Sequence, residues 1–205
     1  MYPRRMNHQV LVIHGGNTFR DREEYLADLE TQTVTLDDLR KTGWKSSLGA
    51  ALGEDFEVFQ PRMPNAGDAK YPEWKTYFGK ILPLMDPGVL LVGHSLGGVF
   101  LAKYLAEETV PQRIKATSLV SAPYWPSGDE ATGGFDLPAS LEKFSKQGGE
   151  TFLYHSRDDE VVPFADLEKY QKALPHAHVR IGEGRGHYNT PDFPELVEDI
   201  KGFES

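Results

Sequence analysis

The chain has 205 residues, 39% of them hydrophobic, and its 31 acidic and 22 basic residues give a formal net charge of −9. This length suits one α/β domain with a sizeable core, and an acidic chain without a basic run is a poor partner for nucleic acid. The absence of cysteine excludes disulfides, a catalytic thiol and thiolate metal sites. No apolar run approaches the ~20 residues that span a bilayer and no signal-like segment follows Met1 to Met6, so we expect a cytoplasmic protein without a membrane partner.

Strand-like and helix-like segments alternate along the chain. Strands are predicted near residues 9–13, 56–59, 89–92, 116–120, 151–155 and 177–181. Helices are predicted near residues 45–52, 72–84, 96–108, 139–146, 164–173 and 194–203. This alternation predicts an α/β fold in which a mostly parallel six-stranded sheet carries helices on both faces. Ligands of such sheets bind beyond the carboxyl ends of the strands.

A Gly-x-Ser-x-Gly pattern follows the third predicted strand, in the run Val92-Gly93-His94-Ser95-Leu96-Gly97. A serine hydroxyl is a weak nucleophile, and a sharp strand-to-helix turn lifts its oxygen clear of the sheet and toward a base. Glycines at 93 and 97 permit this turn because side chains there would crowd it. We therefore predict that Ser95 is a nucleophile. A capping serine at an ordinary Gly-rich helix start is the alternative.

A nucleophilic serine needs a base and a carboxylate that orients the base, and this fold expects them later in the chain, acid first. The fifth predicted strand is followed by the segment from Ser156 to Pro163, which contains two adjacent aspartates. We predict that Asp159 is the acid, because its spacing places Pro163 at the first position of the next helix. Asp158 remains the alternative, and a capping role is the structural alternative for either residue.

The last predicted strand leads into a loop with three glycines, Gly182 to Gly186, which carries His187. Such a loop can bring an imidazole across the strand ends to the serine, so His187 is the predicted base. His94 precedes the nucleophile and should point away from it. The other candidates, which we assign to packing or to solvent exposure, are His8, His155, His176 and His178. The pair His176-x-His178 lacks a third ligand at a familiar spacing, so no metal site is predicted.

Two backbone N–H groups are needed to stabilise the oxyanion. Leu96, which follows the nucleophile, is predicted to supply one, and Gly16, which follows the first strand, the other. Gly15 is the alternative for the second donor. Trp125, after the fourth predicted strand, and Tyr188, beside the predicted base, are candidate walls of a substrate pocket, with core packing as the alternative for both.

With these residues the chain resembles the α/β-hydrolase superfamily and, within it, the family of small serine hydrolases that includes retinoblastoma-binding protein nine. Pro61, Pro64 and Asn65 look like that family's Pro-x-x-Pro-Asn signature. Trp74, followed at a wider spacing by Leu82 in the same predicted helix, looks like its Trp-x-x-x-Leu signature. The run from Asp159 to Pro163 resembles the Asp-x-x-Val-Pro arrangement of related hydrolases. The resemblance covers most of a single domain, residues 1–205, in which 17–43 and 123–135 are predicted insertions.

The resemblance implies a lidless or lightly capped hydrolase that cleaves small esters or amides through an acyl-enzyme, with no cofactor. A non-catalytic binding or scaffold protein that retains the fold is the competing hypothesis. The first insertion carries seven acids and four bases between Arg20 and Lys41, and Asp21 to Glu30 fits a short amphipathic helix. It is either a cap that repels anionic substrates or a solvated surface excursion.

Overall fold

The strands form one sheet in which every neighbouring pair runs parallel. In this computed structural model, which describes residues 8–36, 39–40, 43–126 and 130–203, the strand order is β2-β1-β3-β4-β5-β6. The strands are β1 (His8–Ile13), β2 (Phe56–Phe59), β3 (Val89–His94), β4 (Ile114–Val120), β5 (Glu150–Ser156) and β6 (His178–Gly182). The order reverses between β1 and β3, and such a switch point opens a crevice at the carboxyl ends of these two strands.

Helices cover both faces of this sheet. They are α1 (Arg22–Thr31), α2 (Trp44–Leu52), α3 (Tyr71–Ile81), α4 (Leu96–Glu107), α5 (Glu142–Gln147), α6 (Ala165–Ala173) and α7 (Pro194–Lys201). Because side chains alternate across a strand, Leu11 and Ile13 pack in the core with α3 and α4, whereas Val10 and Val12 pack in the core with α2 and α7. The predicted α/β fold with six strands is therefore confirmed.

The helix α3 ends before its predicted limit for a local reason. The α-helical part of α3 ends at Ile81 and continues as a short 3₁₀ turn over Leu82–Leu84, because Pro83 has no N–H to donate. The helix expected from Asp21 to Glu30 forms as α1, with the Asp21 carboxylate accepting the Glu24 N–H at 2.9 Å. Its apolar and polar residues do not separate onto two faces and none of them is buried, so the expectation that this helix is amphipathic is wrong. Among the described residues, no helix combines the length and apolar character needed to cross a bilayer.

The junction between β3 and α4 is packed backbone against backbone. A Cβ at position 97 would collide with the carbonyl oxygen of Ile13, and it would lie 2.6 Å from the carbonyl oxygen of His14. A Cβ at position 93 would collide in the same way with the carbonyl oxygen of Gly97. Glycine at these positions therefore allows the start of α4 to lie directly against the carboxyl ends of β1 and β3.

We expect Gly97→Ala to lower the free energy of unfolding by about 1–3 kcal/mol or more, because the new methyl group must displace backbone rather than a mobile side chain. Gly49→Ala in α2 is the matched control. Its methyl group would lie 3.8 Å from the nearest side-chain atom of Val58, so it should be neutral or stabilise the helix by up to ~1 kcal/mol. Urea denaturation of both variants tests this, and equal effects would contradict it.

Candidate active site

Ser95 occupies the turn between β3 and α4 with a backbone conformation that residues other than glycine rarely adopt, φ 56° and ψ −123°. Such a conformation costs on the order of 1–3 kcal/mol. Two sets of hydrogen bonds hold it: the Ser95 N–H donates to Val120 O at 2.8 Å, and the Ser95 carbonyl accepts the N–H groups of Gly98 and Val99. A Cβ at Gly15 would lie 3.5 Å from Ser95 Oγ, so the loop after β1 packs closely beside the hydroxyl.

Asp159 and His187 meet at the same end of the sheet. His187 Nδ1 donates to Asp159 Oδ2 at 2.9 Å, while Asp159 Oδ1 accepts the N–H groups of Val161 and Val162, each at 2.9 Å. The Asp159 side chain is fully buried, and that of His187 is 10% exposed. Because Nδ1 carries the hydrogen in this pair, Nε2 of His187 is left as the acceptor.

The two adjacent aspartates contact different groups. Asp158 accepts the Gly184 N–H at 3.0 Å on one oxygen and the Gly186 N–H at 3.2 Å on the other, and it also accepts the Ser156 hydroxyl. It therefore holds the backbone of the glycine loop, whereas the structure brings Asp159 to the ring of His187. The neighbouring carboxylates thus fix the loop and the imidazole separately.

His94 is hydrogen-bonded to the backbone of His187. The His94 Nε2–H donates to the His187 carbonyl at 2.8 Å, and His94 Nδ1 accepts from Lys45 Nζ at 3.1 Å. Burial, aided by the Lys45 charge, lowers the pKa of His94 to about 3, and burial lowers the pKa of Lys45 to about 8. The sequence indicated only that His94 points away from the nucleophile; its contact with the glycine loop depends on tertiary structure.

The loop after β1 is held by the segment that carries the Pro-x-x-Pro-Asn signature. The Asn17 N–H donates to Ala66 O at 2.9 Å, and the Met63 N–H donates to His14 Nε2 at 2.9 Å. A Cβ at Gly16 would lie 2.6 Å from Ala66 O, so this close approach requires glycine. His14, to which the sequence pattern assigns no role, thereby fixes the course of the predicted oxyanion loop.

A cavity of about 350 Å³ opens beside Ser95. Gly16 and Leu96 line it, and the N–H of Leu96, as the first residue of α4, has no carbonyl of a preceding helical turn to bind. Gly15 instead packs against the Ser95 side chain. The other lining residues include apolar and polar side chains: Phe19, Pro123, Trp125, Val161, Val162 and Pro163 among the apolar ones, and Asn17, Thr18, Asp28 and Asp166 among the polar ones.

The two aromatic candidates for the pocket have different locations. Trp125 lines the cavity beside Ser95. Tyr188 is 2% exposed and packs against Phe193 with ring centroids 4.5 Å apart, while its carbonyl accepts the Trp44 Nε1–H at 2.9 Å. The structure therefore places Tyr188 in the core between the sheet and α7, which was the alternative considered for it.

A parallel sheet with this strand order, a strained serine between β3 and α4, and an Asp–His pair at the same end of the sheet define a protein of the α/β-hydrolase fold. The model of the serine hydrolase family matches residues 36–193, well over half of the chain, and the chain belongs to that family. A search of curated protein sequences finds no match.

Three solved structures show the same fold. The ydeN gene product from B. subtilis superposes with a TM-score of 0.71 at 16% identity, over 96% of this chain and 98% of that one. Est1E from Butyrivibrio proteoclasticus has a TM-score of 0.61 at 16% identity, over 97% of this chain and 87% of that one. A structure from work on carboxylesterases of Nitrososphaera gargenis has a TM-score of 0.59 at 13% identity, over 96% of this chain and 89% of that one. At such identities the likeness concerns the fold alone.

The bonds to Asp159 predict a specific dependence of stability on pH. Burial raises the pKa of this carboxyl, but the Val162 N–H and the His187 ring, among other donors, outweigh burial and hold the pKa below its ordinary value. A lowered folded-state pKa contributes stability that is present above the unfolded value of about 3.9 and is lost as the pH falls through the folded value.

We therefore expect wild type to have a larger free energy of unfolding than Asp159→Asn at pH 7, and we expect this difference to shrink below about pH 4. Urea denaturation from about pH 3 to pH 7 measures this gap. A gap that stays constant across the range would show that the carboxylate charge is not what stabilises the turn.

The environment of His94 predicts a neutral ring that bears its hydrogen on Nε2. Because its pKa is lowered to about 3, this ring should not gain a proton between pH 5 and pH 8. Long-range ¹H–¹⁵N spectra report the tautomer directly, with His94→Asn used to assign the signals. A His94 that titrates in this range, or that bears its hydrogen on Nδ1, would contradict the arrangement.

Proposed function

We propose that this serine hydrolase cleaves small carboxylic esters, or amides, with Ser95, His187 and Asp159 as its catalytic triad. The observation that carries the proposal is the 2.9 Å bond between His187 Nδ1 and Asp159 Oδ2 at the end of the sheet where Ser95 occupies its strained turn. This bond leaves Nε2 free to accept the proton of the serine hydroxyl, which is the arrangement that activates a serine.

In the proposed reaction, Ser95 Oγ forms a bond to the carbonyl carbon while its proton passes to His187 Nε2, and the carbonyl electron pair moves onto the oxygen. The tetrahedral intermediate then expels the alcohol or amine, which takes the proton from His187, and an acyl-enzyme remains on Ser95. Water attacks this ester with His187 again as the base, and Ser95 leaves with the proton as the carboxylic acid is released.

The N–H groups of Leu96 and Gly16 are the proposed oxyanion donors. Both residues line the cavity beside Ser95, and they follow β1 and β3, the two strands that flank the switch point of the sheet. The start of α4 adds the positive end of a helix dipole at the same place. One such donor typically contributes about 10²–10³ in kcat.

The size and walls of the cavity support a small substrate. Its volume of about 350 Å³ falls at the lower end of ordinary small-molecule sites. Trp125 and Val161 offer apolar surface for an acyl or alcohol group. The proposal includes a cytoplasmic location, and neither a cofactor, a nucleic acid nor a membrane takes part in it.

The nucleophile can be tested with a fluorophosphonate probe and with p-nitrophenyl butyrate. Wild type should be labelled and should hydrolyse the ester. Ser95→Ala should lose labelling and at least about 10³-fold of kcat, and Asp159→Asn should lose about 10⁴-fold because the imidazole is no longer held in the required tautomer. Ser145→Ala, which changes an exposed serine on α5, is the matched control and should behave as wild type.

Labelling that persists in Ser95→Ala would place the nucleophile elsewhere. If folded wild type neither reacts with the probe nor hydrolyses short-chain esters or amides, the proposed chemistry is wrong, and a binding role on the hydrolase fold is favoured instead.

A further inference from the structure

We infer that α1 acts as an anionic cap that makes the site discriminate against substrates bearing a negative charge near the scissile bond, with Asp28 as the specificity-determining residue. The inference rests on the proposed function, because it concerns the substrate class of the same site. It starts from the location of Asp28, which lines the same cavity as Ser95 and Leu96.

The contacts of α1 place it at the rim of the cavity rather than in the core. The Tyr25 ring packs against Phe19, with centroids 5.4 Å apart, and its hydroxyl would lie 3.5 Å from a Cβ at Gly67. Leu26 and Leu29 stay 45% and 42% exposed. The helix therefore packs on the protein through Tyr25 and turns Asp28 toward the space beside the nucleophile.

The charge of α1 is strongly one-sided. Arg22 is the one basic residue of α1, against the acids Glu23, Glu24, Asp28 and Glu30. The described residues that line the cavity include no lysine, arginine or histidine. An anionic group that enters the cavity therefore meets the carboxylate of Asp28 without a cation on the described walls.

The two carboxylates of the cavity are not equivalent. Asp166 is 5% exposed, accepts the Tyr124 N–H at 2.9 Å and forms an ion pair with Lys169 at 2.7 Å, so its charge is compensated. Asp28 accepts a hydrogen bond of 2.6 Å from the Gln32 side-chain amide, a neutral donor that leaves the negative charge in place. Asp28 is thus the carboxylate of the cavity that a charged substrate would sense most strongly.

The expected effect of this charge is modest and depends on salt. A unit charge roughly 6–8 Å from another, partly exposed to water, changes binding and rate by on the order of three- to tenfold. Salt at roughly 0.5 M shortens the screening length to about 4 Å and should remove most of the effect.

The test compares p-nitrophenyl esters of three acids of similar length: pentanoic acid, glutaric acid with its second carboxylate free, and 5-(trimethylammonio)pentanoic acid. The values of kcat/KM are normalised to the rates of alkaline hydrolysis. Wild type should favour the neutral and cationic esters over the glutarate ester. Asp28→Asn should raise the ratio of glutarate to pentanoate about three- to tenfold at low salt, and lower the ratio of the cationic ester to pentanoate.

Glu30→Gln is the matched control. It removes the same unit of charge from an exposed position of the same helix, about 200° around the axis from Asp28, and should change these ratios less than twofold. Equal effects of the two variants, or none for Asp28→Asn while pentanoate is hydrolysed, would overturn the inference. Failure of wild type to hydrolyse even the pentanoate ester would instead overturn the proposed function, and the inference with it.

Discussion

The strained backbone of Ser95 depends on the close contact between α4 and the ends of β1 and β3. A positive φ at a serine is unfavourable, and it persists here because both its N–H and its carbonyl are bonded to neighbouring backbone. The absence of a side chain at Gly97 lets α4 begin against the β1 carbonyls. The same contact brings the start of α4 beside Gly16, so one backbone arrangement places both the hydroxyl and the proposed oxyanion donors.

His187 is held by contacts from three directions, and each acts on a different part of the residue. Asp159 holds the ring, and His94 holds the backbone carbonyl. Asp158 binds the N–H groups of Gly184 and Gly186, just before His187 in the chain. A loop rich in glycine would otherwise leave the imidazole free to move. Contacts with residues at or just after the ends of β3 and β5 limit the flexibility of this loop.

The sequence predicted those features that depend on short-range pattern and left open those that depend on where the loops fold. The six strands were recognisable because they are short apolar runs between turn residues, and Ser95 because its turn needs glycines at fixed spacing. Asp158 and Asp159 are adjacent; the spacing to Pro163 favoured Asp159, but only the path of the backbone shows that this carboxylate meets the imidazole while its neighbour binds the glycine loop. The charge pattern allowed α1 to be either a cap or a surface excursion, but it did not indicate that Asp28 lines the cavity, since α1 buries no apolar face that could locate it.

The two imidazoles near Ser95 have different surroundings, and those of His94 disfavour a positive charge. The rings of His94 and His187 are 5.0 Å apart, so two imidazolium ions would repel each other strongly in this buried place. Burial and the Lys45 charge hold the pKa of His94 at about 3, so that ring stays neutral. The other imidazole, that of His187, is hydrogen-bonded to the Asp159 carboxylate. In the proposed reaction, the proton taken from Ser95 therefore has a stable site at His187 alone.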